Sequence, residues 1–253
     1  MIRTARLLGP VLLLGALLAP AARAETRACA APPELLEAGA PLPATVRAAR
    51  AGSLRILVVG GASVLGLGTS GPAAVWPARL EALIAARRPG LTVEVAVRGR
   101  RGLTTAEAAA LLAAELAQAP AHLVLWATGT VSAVRGLEVD EMVEALNAGL
   151  EALKAAGSDA VLIDPQFSRF LRTNANIEPY LGTLRLVAAA HQVPLLRRWE
   201  LMRHWTETGQ VDVERAPKPE RVAATDRLNE CLAEAMAALL RSGVAEARGQ
   251  PRP

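Results

Sequence analysis

The segment from Arg55 to Gly68 limits the possible folds more than any other part of the sequence. It reads RILVVGGASVLGLG, so a run of aliphatic residues, Ile56 to Val59, ends at two glycines followed by small residues. This pattern is typical of a buried parallel strand that ends in a tight turn leading into a helix. Because α/β proteins place their chemistry at such turns, the segment predicts a functional crevice beside Gly60 to Ser63.

Short apolar runs alternate with longer amphipathic stretches along the rest of the chain. The predicted strands are Leu54–Val59, Leu91–Val97, His122–Ala127, Ala160–Ile163 and Pro194–Leu196. The predicted helices are Trp76–Arg87, Thr105–Gln118, Glu141–Ala156, Ile177–His191 and, approximately, Thr225–Arg241. Strands that alternate with helices form parallel crossover units, so the sequence predicts an α/β fold, a three-layer α/β/α sandwich.

Three of the predicted helix ends carry their own signals. Thr104 and Glu107 have the spacing of a capping box ahead of an Ala/Leu-rich run. Asp140 is predicted to cap the following helix, and Gly157 stands where a left-handed residue would end it.

The first 24 residues have the pattern of a secretory signal peptide. Arg3 and Arg6 precede an apolar run from Leu7 to Leu18, and Ala22-Arg23-Ala24 has the form of a cleavage site. The alternative is an uncleaved anchor, although the apolar run is shorter than the roughly 20 residues of a membrane span. Cleavage near Ala24 would deliver the chain to the periplasm or the medium with no transmembrane segment.

The charge balance argues against a nucleic-acid partner. The whole chain has 28 Lys+Arg against 24 Asp+Glu, a formal net charge of +4. The three arginines among residues 1–24 account for most of the excess, so the charge falls to +1 when they are removed. A nearly neutral chain lacks the basic surface of a nucleic-acid-binding protein.

Two cysteines, Cys29 and Cys231, stand near opposite ends of the mature chain. In an oxidising compartment such a pair predicts a disulfide, with two separate buried thiols as the alternative. Two distant cysteines and three scattered histidines lack the spacing of metal ligands, so no metal or cofactor is expected. The sequence predicts an extended arm at residues 25–53, one domain at 54–241 and a disordered tail at 242–253.

The order of the loops after the predicted strands resembles the SGNH (GDSL-type) hydrolase superfamily of esterases and lipases. The resemblance covers roughly Leu54 to Leu240 and is greatest to secreted proteobacterial members, whose Leu-Met-Arg-His-Trp segment is intact here as Leu201–Trp205. It implies a flavodoxin-like parallel sheet and a serine nucleophile, a histidine base and an oxyanion hole.

Several of these implied catalytic positions hold residues that cannot perform the role. The family's first block, Gly-Asp-Ser-x-Thr-x-Gly, aligns its serine with Ala62, which has no oxygen to attack with. The asparagine of the Gly-x-Asn block falls on Val131, and the last block, Asp-x-x-His, falls on Glu220 and Ala223. Only the backbone N–H groups of Ala62 and Gly102 match the oxyanion hole.

The resemblance therefore indicates a non-catalytic member, with two other hypotheses left open. One is a divergent esterase in which Ser63 is the nucleophile and His204 the base, although a shift by one residue is expected to turn the Ser63 side chain away from the crevice. The other is a scaffold for a protein partner.

For the non-catalytic member we expect an acylated or anionic cell-envelope ligand. The loops of the predicted crevice are rich in arginine, a residue suited to carboxylate or phosphate, above all Arg98, Arg100 and Arg101. The alternative is that these arginines form only a solvated rim. Asp164, at the end of its strand, is expected to fix a loop.

Overall fold

A computed structural model describes residues 29–249 and contains the predicted alternation of strands and helices. Its strands are β1 (Ser53–Gly60), β2 (Thr92–Gly99), β3 (Leu123–Ala127), β4 (Asp159–Ile163) and β5 (Leu195–Leu196). All neighbouring strands are parallel, in the order β2-β1-β3-β4-β5. The fold is the predicted α/β sandwich with a flavodoxin-like parallel sheet.

The helices lie on both faces of this sheet. Their bounds are α1 (Pro43–Arg50), α2 (Trp76–Arg87), α3 (Thr105–Gln118), α4 (Thr130–Arg135), α5 (Val139–Ala155), α6 (Arg169–Asn174), α7 (Glu178–Ala190), α8 (Arg198–Glu207) and α9 (Arg221–Ala247). One face of the sheet packs against α1, α2, α8 and α9, and the other packs against α3, α5 and α7.

The side chains of β1 show why both faces are covered. Ile56 and Val58 contact the core that contains α2 and α9, whereas Leu57 and Val59 contact the core that contains α3 and α5. Successive strand residues point to opposite faces, so a strand that is apolar at every position needs a layer on each side. The continuous aliphatic run in the sequence was therefore sufficient to predict three layers.

The ends of the domain differ from the sequence prediction. The arm at residues 25–53 is not extended throughout, because it contains the eight-residue helix α1. The predicted disordered tail is also wrong for residues 242–249, since α9 continues to Ala247 and buries Ser242 and Gly243 against the arm. Helices α4, α6 and α8 were not predicted.

The predicted helix ends are mostly confirmed. Thr104 and Glu107 form the capping box at the start of α3, and Gly157 has a left-handed φ of 71° after α5. The prediction for Asp140 was wrong, because α5 begins two residues earlier and Asp140 lies inside its first turn.

The predicted disulfide is confirmed, and it joins the arm to α9. Cys29 and Cys231 are bonded with their Cα atoms 5.3 Å apart, and Cys231 is buried in the core. The predicted signal peptide lies outside the described residues. Between residues 29 and 249, no helix has the length and apolarity needed to cross a bilayer.

Asp159 links the arm to the sheet by capping a helix distant from it in sequence. Its two carboxylate oxygens accept hydrogen bonds from the N–H groups of Ala44 and Thr45, at 3.1 and 2.7 Å, in the first turn of α1. We expect Asp159→Ala to lower the free energy of unfolding by about 1–3 kcal/mol, because it leaves buried N–H groups without acceptors. Denaturant unfolding measures this change. The matched control, Asp140→Ala in the exposed first turn of α5, is expected to lose no more than about 0.5 kcal/mol, and equal losses would contradict the assignment.

Candidate functional site

A cavity of about 100 Å³ opens at the carboxyl edge of the sheet. The chain passes from β1 to β2 on one side and then crosses back to β3 on the other side of β1. Such a reversal leaves a crevice outside the carboxyl ends of the two strands, where α/β proteins bind ligands. The cavity is lined by residues 61–63 after β1, 102–103 after β2 and 127–131 after β3, together with Gln166 and Arg198.

The turn after β1 brings both Ala62 and Ser63 to the cavity. Ala62 begins a short 3₁₀ turn, Ala62–Val64, and its side chain is only a methyl group. The Ser63 hydroxyl oxygen accepts a hydrogen bond of 2.8 Å from Nη1 of Arg198. The expectation that the Ser63 side chain would turn away from the crevice was therefore wrong, because its hydroxyl bonds Arg198, which also lines the cavity.

Arg198 is the principal side chain that the sequence analysis missed. It is the first residue of α8 and only 3% exposed, yet it lines the cavity. Its Nε donates to the backbone carbonyl of Asp164 at 2.9 Å. Burial lowers the pKa of Arg198 to about 10, and the nearby Asp164 charge opposes this shift. The Arg-Arg pair directly after the last predicted strand was the signal that could have identified it.

Asp164 fixes the start of α8, as expected of a loop-fixing residue. Its Oδ1 accepts the N–H of Trp199 at 2.8 Å, whereas the buried Oδ2 has no hydrogen-bond partner within the described structure. Burial raises the pKa of Asp164 to about 7, although the Trp199 hydrogen bond and the charge of Arg198 oppose the shift. Asp164 is not among the residues that line the cavity.

Ala62 and Gly102, whose backbone N–H groups the family resemblance assigns to an oxyanion hole, both line the cavity. Among residues 29–249, no protein acceptor binds the N–H of Ala62 or of Gly102. Gly102 has a φ of 74°, and a Cβ there would stand 3.0 Å from Nη2 of Arg135. Any other residue would be strained at this position, so the loop after β2 needs this glycine to hold its N–H at the cavity.

The three arginines predicted to bind anions lie outside the cavity lining. Arg98 forms an ion pair with Glu115 at 2.9 Å, and Arg100 forms one with Glu107. Arg101 is exposed and forms no ion pair within the described residues. Two of the three are thus paired with glutamates of α3, and none of the three lines the cavity.

The other positions implied by the family motifs are dispersed. Val131 lines the cavity from α4, whereas Glu220 and Ala223 are exposed at the start of α9 and do not line it. His204 is half-buried in α8 and also lies outside the lining. The lining described by the structure therefore contains no imidazole and no carboxylate. Nor do the described His, Cys, Asp and Glu side chains form any group of three suited to a metal ion.

The chain matches a known protein family over most of its length. The model of the Non-GDSL lipase-like family matches residues 28–246. No protein with curated annotation matches the sequence significantly.

Several solved structures share the fold. TesA is 24% identical with a TM-score of 0.58, and the match covers 74% of this chain and 99% of TesA. The psychrotrophic esterase EstA from Pseudoalteromonas sp. is 17% identical with a TM-score of 0.54, over 72% of this chain and 98% of EstA. A two-domain esterase, CEX, active on acetylated mannans, is 13% identical with a TM-score of 0.65, over 87% of this chain and 59% of CEX. At these identities the likenesses show the fold alone.

Proposed function

Because the chain belongs to the Non-GDSL lipase-like family, a branch of the SGNH/GDSL-type hydrolase superfamily, we propose that it is a non-catalytic member that binds an acylated or anionic ligand in this cavity. One observation carries the proposal. The position that aligns with the nucleophile is Ala62, and the neighbouring Ser63 oxygen accepts a hydrogen bond from a guanidinium. A serine becomes a nucleophile when a base accepts its proton. Arg198 donates instead, so it cannot accept the Ser63 proton, and the described lining holds no other base.

What remains of the site is suited to holding an oxygen atom. Ala62 and Gly102 line the cavity, and in the proposed complex their N–H groups donate to a carbonyl or carboxylate oxygen. Backbone donors of this kind stabilise an oxyanion without any contribution from a side chain. Binding therefore needs only groups that the cavity has, whereas ester hydrolysis needs a base that its lining lacks.

The alternative function is a divergent esterase that uses Ser63. The observation in its favour is that the Ser63 hydroxyl lines the cavity. In this mechanism Ser63 would attack the acyl carbon of an ester, and His204 would accept the serine proton and pass it to the departing alcohol. Water would then release the acid from Ser63, so His204 would have to reach the cavity from α8.

We also propose that the protein is exported and is periplasmic or secreted. The predicted signal peptide at residues 1–24 supports this location. The Cys29–Cys231 disulfide supports it independently, because disulfides persist in oxidising compartments. A scaffold role toward a protein partner is compatible with the same location.

Ester hydrolysis by the purified protein distinguishes the two functions. With p-nitrophenyl butyrate we expect a rate at the uncatalysed background for the wild type and for Ser63→Ala alike. Ser53→Ala is the matched control, because it makes the same change at the opposite edge of the sheet. Hydrolysis by the wild type and by Ser53→Ala that Ser63→Ala reduces 100-fold or more would establish the esterase instead.

A further inference from the structure

We propose that the buried guanidinium of Arg198 is the anchor for the carboxylate group of a small ligand. This inference rests on the proposed function, because it assigns a ligand class to the same cavity.

The charge of Arg198 has no partner of opposite sign in contact with it. Its protein acceptors are two neutral oxygens, the Ser63 hydroxyl and the Asp164 backbone carbonyl. Among the described residues, no carboxylate oxygen lies within 4.0 Å of its nitrogens. The Asp164 carboxylate is instead engaged by the N–H of Trp199 through Oδ1. A charge that is 97% buried is costly unless it is paired, and the Asp164 charge is near Arg198 but not in contact with it. An anion in the cavity would supply the direct partner.

The guanidinium of Arg198 also has N–H donors that do not bind the Ser63 hydroxyl or the Asp164 carbonyl. An arginine side chain has five N–H donors, and two of those of Arg198 bind protein acceptors, which leaves three. The planar fork of guanidinium N–H groups matches the two oxygens of a carboxylate. Arg198 lines the cavity, so these donors are next to the space a ligand would occupy.

The size and walls of the cavity define the rest of the ligand. Its volume of about 100 Å³ is smaller than the roughly 150 Å³ of an engineered cavity that holds benzene. The lining combines apolar side chains with polar ones: Leu103, Ala127, Val131, Thr128, Thr130 and Gln166. A cation beside such a mixed surface suits a carboxylate attached to a few carbon atoms. Such a group occurs both in free short-chain acids and in acidic sugars, and the experiment distinguishes these two sources.

Isothermal titration with sodium butyrate, its neutral analogue butyramide and sodium glucuronate tests the inference. We expect wild type to bind at least one carboxylate ten-fold or more tightly than butyramide. Tighter binding of butyrate identifies a short-chain acid, and tighter binding of glucuronate identifies an acidic sugar. Arg198→Met should abolish the preference for carboxylate, whereas Arg101→Met, on the exposed rim, should keep it within about three-fold. Equal affinity of wild type for butyramide and both carboxylates, or no binding of either carboxylate at millimolar concentration, would overturn the inference.

A second measurement needs no variant, in case Arg198→Met fails to fold. At constant ionic strength, the preferred carboxylate should raise the melting temperature of wild type more than sodium chloride or sodium sulfate does. An equal shift with sulfate would overturn the preference for carboxylate. Turnover of p-nitrophenyl butyrate on the same samples is a separate readout. Turnover that depends on Ser63 would refute the proposed non-catalytic function. If there is no turnover and the protein also shows no preference for carboxylate, only the proposal that Arg198 is the anchor is refuted.

Discussion

Loss of the Cys29–Cys231 disulfide is expected to lower the free energy of unfolding by about 3–5 kcal/mol. The bond joins residues separated by 202 positions, so it closes almost the whole domain into one loop. A loop of this length removes conformational entropy from the unfolded chain worth about 5 kcal/mol in the chain-entropy model. Burial of Cys231 in the core means that the bond also holds the arm on α9.

Guanidinium unfolding of wild type and of the Cys29→Ala/Cys231→Ala variant measures this effect. A thiol reductant should destabilise wild type and leave the variant unchanged, which separates loss of the bond from loss of the sulfur atoms. A difference below about 1 kcal/mol would contradict the prediction, as would two thiols that react with iodoacetamide in the native oxidised protein.

Replacement of Asp164 by asparagine is expected to make the protein more resistant to rising pH. Burial, as the main cause, raises the pKa of this carboxyl from 3.8 to about 7, and Glu200 adds to the shift while Trp199, Arg198 and Arg185 oppose it. The folded state therefore favours the protonated form. The stability contributed by Asp164 is complete below about pH 4 and is lost as the pH rises to about 7. The loss amounts to about 4 kcal/mol over that interval.

The free energy of unfolding of Asp164→Asn, measured relative to wild type from pH 4 to pH 8, should increase with pH and level off above pH 7. Asp226→Asn is the control, because its difference from wild type should stay nearly constant from pH 4 to pH 8. Hydrogen bonds from Ser70 lower the pKa of Asp226, so the stability that this carboxylate contributes is complete above about pH 4 and is lost only as the pH falls below that value. A constant difference between Asp164→Asn and wild type across the whole range would refute the buried-carboxyl assignment.

The layers of the fold were predictable because they depend on short-range patterns. The aliphatic run before Gly60 and the Ala/Leu-rich helices specify burial on both faces of a sheet, and the bounds of α2 and α3 agree with the prediction. Helices α4 and α6 have six residues each and lack an apolar period long enough to predict them. Helix α1 is capped by Asp159, a residue 114 positions away from Thr45, which no local pattern can reveal.

The sequence predicted which turn residues line the candidate site, but it did not predict which charged side chain does. The sequence identified Ala62, Ser63 and Gly102 at the crevice, because turns after parallel strands meet at one edge of a sheet. It also indicated the arginines at the end of β2 and directly after it. The structure pairs Arg98 and Arg100 with glutamates of α3, which the sequence analysis had not anticipated.

Two adjacent arginines, Arg197 and Arg198, show most clearly what the sequence alone does not predict. The sequence determined that a parallel sheet would end in a crevice beside Ala62, and that two cationic side chains would follow the last strand. Only the tertiary structure decided which groups each of these side chains contacts. Arg197 reaches Glu200 and the backbone of Glu34, whereas Arg198 is buried between Asp164 and Ser63. The physical reason is that α8 starts between these two residues and packs against the sheet, so its direction determines which arginine meets the cavity.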